Sequence, residues 1–254
     1  MKVAIVQHDI VWAQPTENIR HISQLLDQQS GVDLFVLAET FTTGFMAKGN
    51  EATDSSNGLA WLQEQAKEKN AAFVASIATK DENGSLRNRL FFVRPDGTFD
   101  FYDKRHLFSY AGETDAYVAG QERTVVTWCG IRFLLQVCYD LRFPVFSRNR
   151  KDYDAAIYVA NWPASRIEVW NTLLKARALE NQCFVIGVNR IGADPACTYS
   201  GGSVVIDAYG KAIARCEDRQ EGIAIASLNM EQLLRFREKF PVLQDADDFI
   251  LKTK

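Results

Sequence analysis

No stretch of this sequence approaches the roughly 18 apolar residues that a membrane-crossing helix needs. The first apolar run, Val3-Ala4-Ile5-Val6, is closed by Gln7-His8-Asp9 and is too short for the core of a secretory signal. Basic tracts of five or more are missing, and 29 Lys and Arg stand against 32 Asp and Glu, so nucleic acid is not an expected partner. Histidine occurs only three times (His8, His21 and His106), with no His-Glu-x-x-His zinc helix. There is no glycine-rich phosphate loop, and Gly201-Gly202-Ser203-Val204-Val205 lacks the last glycine of a serine-hydrolase elbow. The five cysteines (129, 138, 183, 197 and 216) are odd in number and never closely paired. That argues against a disulfide framework or a zinc ribbon and predicts free, mostly buried thiols. A soluble, cytoplasmic protein is the expectation.

What is present suffices for a substantial core: 47% of the 254 residues are hydrophobic and 24% are charged. No linker, repeat or low-complexity stretch divides the chain, so residues 1–254 are expected to form one domain. Strand patterns are predicted over Val3–Gln7, Asp33–Leu37, Ala71–Ala78, Ala155–Val159, Phe184–Val188 and Gly222–Ser227. Helical periodicity is predicted over Asn18–Gln29, Gly58–Asn70, Ile167–Gln182 and Met230–Glu238. Hairpins are expected at Arg89–Arg94 with Thr98–Tyr102, at Arg123–Trp128 with Ile131–Val137, and at Ser203–Ile206 with Ala212–Arg215. The mixture predicts an α/β fold with a mixed sheet.

Reactive groups stand where three apolar strands end, which is where α/β folds carry sites. Leu34-Phe35-Val36-Leu37-Ala38-Glu39 closes on a carboxylate, either a paired or capping group or a tuned acid–base. Tyr102-Asp103-Lys104-Arg105-His106 follows a hairpin; it is either a solvated charge cluster or the source of a fixed positive charge for an oxyanion. Leu134-Leu135-Gln136-Val137-Cys138 delivers a thiol to a tight turn, as core or as nucleophile. In the nucleophile case a following helix N-terminus would favour thiolate. His106 is either a structural hydrogen-bonding residue, the commoner role at such a position, or the partner of Cys138 in a Cys–His hydrolase, and His21 is expected at the surface of its helix.

Together these segments resemble the nitrilase superfamily of carbon–nitrogen hydrolases, across essentially the full chain. The resemblance rests on Leu37-Ala38-Glu39-Thr40-Phe41, Tyr102-Asp103-Lys104-Arg105-His106-Leu107-Phe108 and Val137-Cys138-Tyr139-Asp140-Leu141-Arg142-Phe143-Pro144, in that order. Glu113 falls where the family often carries a second active-site Glu. Ala160-Asn161-Trp162-Pro163, with Trp170 and Lys175–Asn181 beyond it, is similar to the family's pocket wall and following helix. One departure stands out: Ala38 occupies the place of the usual Pro before the catalytic Glu. Within the superfamily the resemblance is to omega-amidases, which deamidate 2-oxoglutaramate and similar monoamides of dicarboxylic acids.

The resemblance implies a four-layer α-β-β-α sandwich assembled as a homodimer. It implies Glu39 as general base, Cys138 as nucleophile, Lys104 and the Tyr139 N–H at the oxyanion, and Glu113 holding Lys104 or orienting the substrate. Arg142 and Arg166 are the candidates for the substrate's far carboxylate, with Tyr139, Asn161 and Trp162 shaping the pocket. No metal or organic cofactor is implied, because both steps are proton and acyl transfers. The partner expected is a small amide, with no nucleic acid and no membrane. The rival readings are nitrile or N-carbamoyl amine hydrolysis, or amide-bond synthesis, on the same triad, or an idle scaffold.

Overall fold

Alternation along the strands sets the layering of this chain. The computed structural model describes residues 1–46 and 55–251. Its first half runs β1 (Lys2–Gln7), α1 (Pro15–Leu26), β2 (Leu34–Val36), α2 (Ser55–Lys69), β3 (Ala72–Lys80), β4 (Leu86–Val93), β5 (Phe99–Asp103) and the short α3 (Glu113–Ala116). The middle holds β6 (Val125–Trp128), β7 (Ile131–Val137), α4 (Pro144–Ser147), β8 (Ala155–Ala160), α5 (Ile167–Asn181) and β9 (Phe184–Asn189). Then come β10 (Ile191–Ala193), β11 (Thr198–Ser200), β12 (Val204–Ile206), β13 (Ala212–Arg215), β14 (Gly222–Ser227) and α6 (Met230–Lys239).

Two six-stranded mixed sheets form, ordered β14-β1-β2-β3-β4-β5 and β13-β12-β9-β8-β7-β6. Each has a parallel centre, β1–β2–β3 or β7–β8–β9, flanked by antiparallel strands. Successive side chains of a strand point to opposite faces. Accordingly Val3, Ile5, Leu34, Val36, Val74 and Phe92 meet Phe133, Leu135, Val137, Ile157 and Val159 between the sheets. The alternate residues Ala4, Val6, Phe35, Phe73 and Phe91 pack outward with Ile22 and Leu26 of α1 and Trp61, Leu62 and Ala66 of α2. On the other side Leu134, Ala156, Tyr158 and Val185 pack against Trp170, Leu174 and Ala178 of α5. The layers therefore run α-β-β-α, as expected. Among the described residues no helix is long and apolar enough to cross a membrane.

Several local expectations shift. The first helix begins at Pro15, three residues before the predicted start, because proline fits a first turn where its missing N–H costs nothing. Asn18, read as the start of that helix, instead bonds the backbone of Val11 and Thr42. The β10–β11 ribbon and α3 carry too few residues for periodicity to register. Only Cys183 and Cys216 are buried, which corrects the expectation that most thiols would be. Cys129 is exposed at the β6–β7 turn, and Cys138 and Cys197 are partly exposed. His21 is half-exposed and bonds Glu221 at 2.7 Å.

Gly187 in β9 shows how closely α5 is held. A Cβ there would lie 2.4 Å from Leu174 Cδ1 and 3.0 Å from Trp170 Cζ2. Gly187→Ala should cost about 1–3 kcal/mol through overpacking. It would show as a lower urea midpoint with an unchanged slope. An unchanged midpoint would mean that the helix can retreat freely.

Candidate active site

Four strand ends meet at one edge of the sandwich. The run after β2 delivers Glu39 and the end of β5 delivers Lys104, both from the first sheet. The second sheet delivers Cys138 after β7 and Asn161 after β8. All four side chains line one cavity of about 670 Å³, together with Tyr139, Arg142, Trp162 and Arg166. Glu113 stands behind Lys104 at the start of α3, fully buried and outside the cavity lining.

Lys104 is the hub. Its Nζ donates to Glu39 Oε1 at 2.9 Å and to both Glu113 oxygens at 3.0 Å, with all three side chains buried. Its backbone is fixed from two sides, since its N–H donates to Asn88 O at 2.9 Å and its carbonyl accepts from Gly120 at 3.0 Å. A Cβ on Gly120 would fall 2.1 Å from Asp103 O, so only glycine permits this approach.

Glu39 spends both carboxylate oxygens on the protein. Oε1 accepts from Lys104 and from Asn88 Nδ2 at 2.8 Å. Oε2 accepts the Asn161 N–H at 2.8 Å and its side-chain amide at 3.3 Å. Asn161 Nδ2 also bonds the Glu39 carbonyl at 2.8 Å, and the Thr40 N–H donates to Ser76 Oγ at 2.8 Å. These contacts hold the segment after Ala38 where the family's proline would stiffen it.

Cys138 sits at the turn with φ +46°, a left-handed conformation that costs a non-glycine residue energy and turns its side chain out of the strand line. The short 3₁₀ segment Cys138–Arg142 follows, then the four-residue α4. This is the expected elbow, with a correction to its electrostatics. Burial pushes the Cys138 thiol well above the ordinary thiol range, the Glu39 and Glu113 carboxylates push the same way, and Lys104 opposes them without prevailing. The helix dipole expected to favour thiolate has only a turn and a half to act from.

The neighbouring groups shift in a complementary pattern. Burial raises the Glu39 pKa, yet the Lys104 charge and the hydrogen bonds from Lys104, Asn161 and Asn88 outweigh it and leave the group below its ordinary value. Glu113 is held up by burial and by the Glu39 charge, against the pull of Lys104. Burial works against the Lys104 ammonium, but the two carboxylates raise its pKa well above the usual lysine range. These directions favour a protonated thiol beside a carboxylate and an ammonium.

Aromatic side chains form part of the cavity wall. Tyr139 packs on Phe108 with ring centroids 4.9 Å apart, and Trp162 on Trp170 at 5.5 Å. Arg142 lies over the Trp162 ring at 5.2 Å and Arg166 over the Phe108 ring at 5.5 Å. Neither guanidinium meets a carboxylate among the described residues. Asp194, also in the lining, is occupied: it accepts from the N–H groups of Ala196 (2.8 Å) and Cys197 (2.7 Å) and from Tyr199 OH (2.5 Å).

Two residues are taken up by neighbouring groups. His106 does not partner Cys138; its Nδ1 lies 2.8 Å from Asp140 Oδ1, and its ring stacks on Phe143 at 3.9 Å. Asn161 lines the pocket, but its amide protons hold Glu39 and Thr40. Asn88 escaped sequence reading. The available signal was an amide at an inward position of β4, between the inward-facing Leu86 and Leu90. Among the described residues no group of three or more His, Cys, Asp or Glu could hold a metal ion.

The carbon–nitrogen hydrolase family model matches residues 2–238. The chain is 46% identical, over 253 residues, to omega-amidase YafV of Yersinia enterocolitica, covering 99% of this chain and 98% of that one. It is 32% identical to the 2-oxoglutaramate amidase of Bacillus subtilis, covering 96% of each. Among solved structures, XC1258 of Xanthomonas campestris is a CN-hydrolase superfamily protein with an arsenic adduct in its active site. It superposes with a TM-score of 0.94 at 40% identity, covering 99% of both chains.

The shifts predict a labelling profile. In the free protein, alkylation of Cys138 by iodoacetamide, read against a Cys138→Ala control, should rise with an inflection above pH 9. Glu39→Gln removes a neighbouring negative charge and should move that inflection down. An inflection near neutrality in the unsubstituted protein would overturn the protonated-thiol resting state.

Proposed function

Because this chain belongs to the carbon–nitrogen hydrolase family, we propose that it is an omega-amidase, releasing ammonia from the terminal amide of small dicarboxylate monoamides such as 2-oxoglutaramate. The observation that carries the substrate class is the pair Arg142 and Arg166, two guanidiniums on the wall of the cavity, each over an aromatic ring, with no carboxylate of the described residues against them. A charge at a wall of this kind selects a substrate that carries the opposite charge.

The mechanism follows from the resting protonation pattern. When the amide carbonyl arrives, Glu39 takes the Cys138 proton as sulfur attacks, so thiolate forms only as the bond forms. Negative charge on the tetrahedral oxygen is met by the Lys104 ammonium and the Tyr139 N–H. Glu39, now protonated, gives its proton to the leaving nitrogen; ammonia departs and a Cys138 thioester remains. Water activated by Glu39 then hydrolyses the thioester and regenerates the thiol. Glu113 keeps Lys104 aimed, its two equal 3.0 Å contacts suiting an anchor better than a base.

The shape of Trp162 and Tyr139 sets the width of the cleft, and Asn161 holds the base. The chain is proposed to act as one catalytic domain, within a homodimer joined partly through α4, where Val145 is exposed.

Ammonia release should be strong from 2-oxoglutaramate and succinamate and weak from glutamine, asparagine and a simple nitrile. Cys138→Ala should abolish it, Glu39→Gln should nearly do so, and His106→Ala should leave turnover measurable. Losing one charged hydrogen bond to the carboxylate costs about 1.5–3 kcal/mol. Charge removal at the true anchor, by Arg142→Leu or Arg166→Leu, should therefore raise KM for succinamate about 10- to 100-fold while leaving KM for butyramide nearly unchanged. Equal KM changes for both amides would sink the carboxylate-anchor assignment.

A further inference from the structure

Asp140 is two residues beyond Cys138, fully buried, and absent from the cavity lining. Its carboxylate receives four hydrogen bonds, divided two to each oxygen. Oδ1 accepts from the His106 N–H at 2.9 Å and lies 2.8 Å from His106 Nδ1. Oδ2 accepts from Tyr102 OH at 2.8 Å and from the Val137 N–H at 2.9 Å. Three of these partners belong to Tyr102 and His106, the residues two before and two after Lys104. The fourth belongs to the residue before Cys138.

We propose that Asp140 is a positioning residue that locks the Lys104 segment of the first sheet to the Cys138 elbow of the second, with Tyr102 and His106 as its two arms. The inference rests on the roles proposed above for Lys104 and Cys138. Lys104 and Cys138 come from different sheets, and the packing between them is apolar and non-directional. Apolar contact tolerates small sliding, whereas a carboxylate shared by four donors fixes direction as well as distance.

The arms are themselves rigid. His106 is stacked nearly parallel on Phe143 (7° between planes, 3.9 Å) and meets Phe146 edge-on at 5.4 Å. The Tyr102 oxygen also accepts the Arg105 N–H at 3.0 Å, tying the residue after Lys104 into the same knot. Burial and the Asp140 charge both hold the Tyr102 phenol above its ordinary pKa, so it remains a donor throughout the working range.

The test is a kinetic cycle on the full chain, with thermal unfolding followed in parallel. Misplacing a reacting group by about 1 Å can cost about 100-fold in rate. Asp140→Asn should therefore lower kcat on 2-oxoglutaramate by about that factor, with KM within about twofold. Tyr102→Phe, which removes one oxygen and leaves no void, should lower kcat by about tenfold with KM equally steady. The double variant should be no slower than Asp140→Asn alone, because both act through one lock. A folded Asp140→Asn with unchanged kcat, a KM that moves in step with kcat, or additive losses would each overturn the proposal. Should Asp140→Asn not fold, the kcat-against-KM split in Tyr102→Phe decides. Turnover surviving in Cys138→Ala would instead overturn the underlying mechanism, so the two failures are distinguishable.

Discussion

One ammonium between two carboxylates governs the geometry of this site. Taking three charges out of water is expensive, and their attraction offsets the cost only if nearly every remaining donor and acceptor is matched. The structure matches them: Asn88 and Asn161 serve Glu39, and the Phe108 N–H serves Glu113. Each of these donors depends on a separate piece of the fold, namely the register of β4, the end of β8 and the loop before α3. The network is therefore an account of why those segments lie where they do as well as a source of acid–base chemistry. It also bears on the thiol: burial first, and then the two carboxylates, hold the proton on Cys138 against the pull of Lys104.

The architecture makes such a centre possible by bringing strand ends from two sheets to one edge. Neither sheet alone carries the proposed chemistry. The first supplies base and ammonium, and the second supplies sulfur and the amide that holds the base. The core between them is built of apolar side chains, so the polar contacts that cross the interface carry the directional information. Glu39 to Asn161 is one such crossing and Tyr102 to Asp140 is another.

Much of this was legible in the sequence, for a physical reason. Glu39, Lys104 and Cys138 each follow an apolar run, and a reactive group closing a strand stands out locally. The four-layer arrangement and Glu113 came from resemblance, since periodicity describes faces but does not count layers. The roles of Asn88 and Asp140 went unread because they lie in partners tens of residues away: Asn88 reaches back to Glu39, and Asp140 to Tyr102 and His106. For His106 a structural hydrogen-bonding role was legible, but its spacing from Lys104 could not show that its partner is Asp140. The opposing pulls of Lys104 and of Glu39 and Glu113 on the thiol were legible, whereas the burial that outweighs Lys104 and the shortness of the following helix were not.

The left-handed backbone at Cys138 has an evolutionary corollary. Positive φ is tolerated best by glycine, then by asparagine and aspartate, and cysteine is a poor occupant. A lineage released from selection for turnover would gain stability by drifting to Gly or Asn at this position. The angle alone does not mark use, since Cys129 on the exposed β6–β7 turn adopts φ +47°; at Cys138 the same strain coincides with the cavity. A comparable argument holds at Thr40, whose φ of +44° leaves a branched residue strained beside the base. Were turnover no longer required, both positions would be free to relax toward glycine or asparagine.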